Sequence, residues 1–183
     1  WIKAEYTNQS TTTNFYTANI STLWNPTDYT LYDTITIKHE NIDETLSDFP
    51  VYLDLADLSA EFWSTTPAGT LVGTDIRITT DDVEEENVTE LPRELVKASS
   101  TAQTGELHFK ADSISSTTDT TFRIWYNGNT AGDYATTSTY GAQGVWTSFR
   151  SVYHMKDDPA AGILFDATVN SEDGTATGTM SVN

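Results

Sequence analysis

No cysteine occurs anywhere in the 183 residues, which excludes a disulfide framework and any thiolate metal site. Stability therefore has to come from burial and hydrogen bonding. Basic residues are scarce: 9 stand against 27 acidic ones, for a net charge of −18 and a pI near 4.1. Such a surface repels phosphate backbones, so nucleic acid is not an expected partner. It suits divalent cations and a saline extracellular setting. No apolar run approaches the roughly 18 residues a membrane helix needs, so no membrane span is expected in this chain. No signal peptide is visible either. The chain opens at Trp1 rather than methionine, which points to a processed protein or a fragment whose targeting segment lies outside it.

The motifs of common catalytic sites are missing too. Gly128-Asn129-Thr130-Ala131-Gly132 has threonine where a nucleophile elbow needs serine, and reads as a turn. There is no phosphate-binding glycine loop and no H-E-x-x-H. Glycoside hydrolysis needs two carboxylates across the scissile bond, but the one-faced E-x-D-x-(x)-E strand of glucanases is absent. Glu40, Asp43 and Glu44 have the wrong spacing, and Glu84-Glu85-Glu86 falls in a solvated hairpin tip. The expectation is a protein that is not an enzyme.

What the chain does have is threonine, 33 residues of it. β-branched side chains favour extended backbone and lose rotamer freedom in helices, so this composition leans all-β. The hydropathy pattern agrees. In DTITIKH, Ile35 and Ile37 oppose Thr34, Thr36 and Lys38; in FPVYLDL, Val51, Leu53 and Leu55 alternate with Tyr52 and Asp54. In TDIRIT, Ile76 and Ile78 flank Arg77, and GELHFKAD sets Leu107 and Phe109 against Glu106, His108 and Lys110. TTFRIWYN puts Phe122, Ile124 and Tyr126 on one face, with Arg123 and Trp125 on the other, wet one. Alternation of this kind predicts half-buried antiparallel strands, packed as a β-sandwich of the jelly-roll or immunoglobulin-like type. One helical stretch is expected, in 55–63, where Asp57 or Ser59 is placed to cap it. VWTSF and SVYHM, after Gly141, read as further strands.

Three regions follow from these patterns. Residues 1–30 are polar but carry Trp1, Tyr6, Phe15, Tyr16 and Trp24, and read as an arm that anchors the protein to other subunits. Residues 31–142 form the sandwich. Residues 143–183 begin a further domain and stop before completing it.

Four phrases in one order, Phe49-Pro50-Val51, Gly73 to Arg77, Glu90-Leu91-Pro92 and Tyr126 to Asn129, resemble a family of secreted β-sandwich domains of unknown function. That family typically stands directly ahead of a laminin-G or concanavalin A-like lectin domain. Ser151-Val152-Tyr153-His154-Met155, then Asp166-Ala167-Thr168 through Asp173-Gly174-Thr175, are similar to the opening of such a lectin domain. The resemblance implies an all-β scaffold whose Pro50, Gly73 and Gly128 serve architecture rather than chemistry: Pro50 at a strand start, the glycines in turns.

Candidate binding residues are few. His39, His108 and His154 sit on separate segments and make a zinc site only if folding gathers them. Calcium would use loop oxygens, from Asp81, Asp82, Glu84 and Asn87 or from Asp157, Asp158 and Asp173; no other cofactor is expected. Glycans would stack on an open aromatic ring, for which Trp125 and Trp63 are the candidates. Asn8, Asn19 and Asn87 open N-x-S/T sequons. The functional expectation is a non-enzymatic structural and adhesive module of an extracellular, cell-surface or virion protein, a fibre, decoration or tail component, supporting glycan binding by the adjoining lectin-like domain. The alternatives are an accessory domain of a secreted polysaccharide-degrading enzyme and a calcium-dependent adhesin.

Overall fold

A computed structural model describes residues 29–65, 75–81, 88–128, 132–157 and 162–175. Residues 1–28 of the segment expected to act as an arm, and the sequon asparagines Asn8, Asn19 and Asn87, lie outside these residues, as does Gly73.

Strands dominate. They are β1 (Tyr29–Ile37), β2 (Leu46–Asp54), β3 (Arg77–Thr80), β4 (Glu90–Leu91), β5 (Arg93–Ser99), β6 (Thr104–Ile114), β7 (Thr120–Gly128), β8 (Ile163–Leu164) and β9 (Gly174–Thr175). A four-stranded sheet has the order β1-β7-β3-β4, a three-stranded sheet β2-β6-β5, and β8 pairs with β9. Every pairing described is antiparallel. The chain is thus all-β, as its threonine content and alternation imply.

The period-two patterns land on the faces they predict. Phe122, Ile124 and Tyr126 of β7, Ile78 of β3, and Leu107, Phe109, Ala111 and Ile114 of β6 belong to one buried cluster to which both larger sheets contribute. Phe109 and Phe122 meet edge to face at 5.1 Å, joining the sheets directly. Leu55, Phe62 and Trp63 close the same cluster from the connection after β2.

Helix is confined to short pieces. The expected one is α1 (Ala60–Thr65), preceded by a 3₁₀ turn at Leu55–Asp57. Ser59 caps it: its hydroxyl accepts the Phe62 N–H at 3.3 Å. A second, α2 (Ala142–Val145), ends on Val145, the first residue of VWTSF, where the sequence suggested strand. VWTSF turns away from α2, and SVYHM runs on without joining a sheet. Neither alternates against a partner edge, so the apolar residues there pack as individual anchors instead.

Two architectural readings also need correction. Pro50 is in the middle of β2, paired in register with Lys110; it is tolerated because β2 is an edge strand, where a missing N–H breaks no second ladder. Gly128 is required by a close approach rather than a turn: a Cβ there would lie 2.8 Å from the Tyr29 ring. The positive φ of the turn belongs to Asn127, at 60°.

Candidate functional site

The outer face of the three-stranded sheet holds the densest group of chemically versatile side chains. Because Leu107 and Phe109 face the core, Glu106 and His108 face outward from β6. On β5, Arg93 is paired with Phe109 and so faces inward, while Glu94, paired with His108, faces outward. Tyr52 of β2 flanks His108 on its other side, 5.5 Å between ring centres.

The chain after α2 lies across this face. Its placement starts at the Pro92–Arg93 edge: Lys110 N–H of β6 donates to the Pro92 carbonyl at 3.0 Å, while Arg93 N–H turns outward to the Tyr140 carbonyl at 3.2 Å. Gly144 lets α2 press onto Pro92, since a Cβ there would come within 2.9 Å of the proline ring. Trp146 then drops onto the sheet and donates its indole N–H to Glu94 Oε2 at 2.5 Å. His154 returns to the same oxygen, with Nε2 at 2.9 Å; a carboxylate only accepts, so this nitrogen carries the proton.

The result is a cluster of two imidazoles, two carboxylates and an indole. His108 Nε2 lies 3.2 Å from Glu106 Oε1. Ring centres are 5.2 Å apart for His108–His154, 5.1 Å for His108–Trp146 and 5.6 Å for Trp146–His154. Glu94 and His154 are nearly enclosed, with side chains 9% and 8% exposed, whereas His108 and Glu106 keep partial access to solvent. Among the described residues the lysine or arginine that pairs with these carboxylates is Lys97, 3.7 Å from Glu106 Oε2 on a side chain that is 69% exposed. One ligand atom each from Glu106, His108 and His154 falls within 4.8 Å of the others.

Compared with known proteins, the chain matches no family model, no curated protein and no solved structure.

The residues singled out from sequence are distributed differently. Of the three histidines, folding brings together His108 and His154 only. His39 is on the other side of the chain's chemistry, its Nδ1 2.7 Å from Asp119 Oδ1. Trp125 does share the outer face of the four-stranded sheet with Arg123, but it is only 7% exposed. Its indole donates to Thr79 Oγ1 at 2.9 Å, and Tyr32 and the Arg123 guanidinium crowd its ring. Trp63 is 6% exposed and packed against Phe62. Among the described residues the open rings belong instead to Tyr32, Phe49, Tyr52, Phe149, Tyr153 and Phe165.

The acidic loops proposed for calcium have other uses where they are described. Asp81 pairs with Arg123 at 2.7 Å; Asp82, Glu84 and Asn87 lie outside the described residues. Asp157 accepts the Phe165 N–H and Asp173 the Asp166 N–H, each at 2.9 Å; Asp158 lies outside. A polar groove of about 330 Å³, lined by Asp81, Asp112 and Asp119 among serines and threonines, is similarly committed. Hydrogen bonds from Lys38 and then His39 hold the Asp119 carboxyl far below its usual range.

The lectin-like phrase D-A-T…D-G-T folds as a knot around Asp166. Its carboxylate accepts the N–H groups of Val152, Thr168 and Glu172 and the Thr168 hydroxyl, all within 3.0 Å. Desolvation pushes this carboxyl up, but the combined hydrogen bonds outweigh it and bring the pKa down to about 2. Sequence reasoning saw the phrase and named His108 and His154 as metal candidates, but grouped them with His39 where the fold supplies Glu106. A signal was present: Glu106 and His108 at i and i+2 on one strand must share a face. Nothing local announced the arrival of His154.

Proposed function

We propose that the two larger sheets close as a β-sandwich serving as a non-enzymatic structural and adhesive module of an extracellular surface or virion protein. On this reading residues 1–30 anchor it to neighbouring subunits, and residues from about 143 lead into a lectin-like domain that contacts glycans.

The observation that carries the reading is how the polar side chains of the four phrases are spent. Arg93, 2% exposed, reaches from β5 across the core to the Ile76 carbonyl and to Asp133 Oδ1, at 2.9 Å for the latter. Arg77 donates to the same Ile76 carbonyl at 2.7 Å and to Gly132 at 2.8 Å, and its guanidinium lies 4.1 Å from the centre of the Tyr134 ring. Asp75 accepts the Gly128 N–H at 3.1 Å. Burial pushes Glu90 up, against the pull of Tyr134, Arg77 and Arg93. These groups cross-link strands, which is the work of a scaffold. The resemblance to domains standing ahead of lectin domains supports the same reading. So does the run of residues 142–157 over β5 and β6, which gives the module a firm exit toward whatever follows.

The test is removal of residues 1–30 from the natural protein, followed by assay of its incorporation into the parent particle or filament. Loss of incorporation with an unchanged far-ultraviolet circular dichroism spectrum is expected. Normal incorporation of the truncated chain would overturn the anchoring role.

A further inference from the structure

We infer that Glu106, His108 and His154 form a binding site for a first-row divalent metal ion of the zinc class, which clips the segment after α2 to the outer face of the three-stranded sheet.

The donor set decides the class. Two imidazoles with one carboxylate suit zinc and its neighbours, whereas calcium and magnesium take oxygen ligands. Spacing is the second argument. A tetrahedral ion with bonds of about 2.0–2.1 Å separates its ligands by roughly 3.3 Å, and His108 Nε2 and Glu106 Oε1 already stand 3.2 Å apart. The ion takes the place of the proton they share. The third ligand atom, from His154, needs only a small side-chain movement, because all three lie within 4.8 Å.

The surroundings supply what a ligand trio by itself lacks. Metal-bound histidines commonly donate their other ring N–H to a carboxylate, which fixes the ring and raises its basicity. Glu94 is in that position toward His154, and is itself held by the Trp146 indole. The Trp146 ring lies against both imidazoles and shields them from water. Glu94 and Glu106 place two carboxylates beside two imidazoles, and the exposed Lys97 ammonium can swing away. A divalent cation balances that charge. Glu106 and His108 belong to β6, while His154 lies 46 residues further along the chain, so occupation of the site adds a direct tie between β6 and the segment after α2, beside the Lys110–Thr147 hydrogen bond.

The proposal is tested by titrating the 183-residue chain, stripped with chelator, with Co²⁺ and Zn²⁺. One equivalent of Co²⁺ should bind with visible d–d bands of low coordination number, and Zn²⁺ should displace it and raise the melting temperature. Millimolar Ca²⁺ should do neither. His154→Ala and the shape-conserving Glu106→Gln should each weaken Zn²⁺ binding at least tenfold. Glu94→Gln should weaken it about tenfold by releasing the His154 ring, and His39→Ala should leave it unchanged. Circular dichroism confirms that each variant is folded. Undiminished binding in both folded His154→Ala and folded Glu106→Gln would overturn the site, as would a loss in His39→Ala equal to theirs.

Discussion

Arg93 and Glu94 are neighbours on one strand, both are buried, and they point to opposite faces of it. The two polar clusters they centre are differently balanced. Arg93 enters a network in which cations meet carbonyls and carboxylates: Ile76, Gly132, Asp133 and Glu90 around two guanidiniums. Burial lowers the Arg93 pKa and Asp133 opposes that shift, so the ion is held where its partners are fixed. Glu94 enters a cluster that is rich in carboxylates and poor in cations, with a second carboxylate, two imidazoles and an indole. The first cluster carries its own cations. The second is held by hydrogen bonds to one Glu94 oxygen and by the His108–Glu106 contact, and gathers three metal-ligating atoms within 4.8 Å of one another. A buried polar group is tolerated when its partners are supplied, and the difference teaches which of the two carries its own counter-charges.

Breaking each cluster sharpens the contrast. The largest effect is expected from Arg93→Ala, which leaves the Ile76 carbonyl without its cross-sheet donor and removes a charge-assisted link: about 3–4 kcal/mol of global stability. Urea unfolding followed by circular dichroism reads it, and a loss under about 1 kcal/mol would show that the network is dispensable. Glu94→Ala should cost less, about 2 kcal/mol, since it strands the Trp146 and His154 N–H groups without undoing the core. Its effect should be local. Amide exchange should quicken in residues 146–157 while β6 and β7 stay protected, and Trp146 fluorescence should shift to the red. Uniform loss of protection would place Glu94 in the same cooperative unit as Arg93.

The smallest effect belongs to the Asp166 knot. A carboxyl with a folded pKa of about 2, against about 3.9 when unfolded, stabilises the loop fully above pH 4. That contribution is lost as the pH falls through 2. Carbon-13 shifts of the Asp166 side chain should therefore titrate near 2, and the Thr168 amide should exchange faster below that point. A midpoint near 4 would mean that the three backbone donors do not hold the carboxylate in solution.

Much of the scaffold was legible from the chain. The alternation in DTITIKH, GELHFKAD and TTFRIWYN depends on a period of two that the pleat enforces, so the inward residues Ile35, Leu107, Phe109, Phe122 and Ile124 were identifiable one strand at a time. The helix at Ala60–Thr65 was legible because its Ser59 cap is a local bond. Residues after Gly141 were misread, since apolar residues there anchor singly and carry no period. Trp125 shows the same limit on a smaller scale. Its face followed from alternation, but its burial came from Tyr32, which β1 brings alongside as its register partner.

The sequence by itself determined the all-β character, the inward and outward faces, the acidic surface and the pairing of Glu106 with His108, because each rests on neighbours one or two residues apart. Tertiary structure alone decided that Arg93 spans the core to Ile76, that Trp63 and Trp125 are covered, and that His154 reaches Glu94 while His39 goes to Asp119. Those contacts join residues many positions apart. Their geometry is set by how the two sheets stack and where the chain after α2 is laid, which no local pattern encodes.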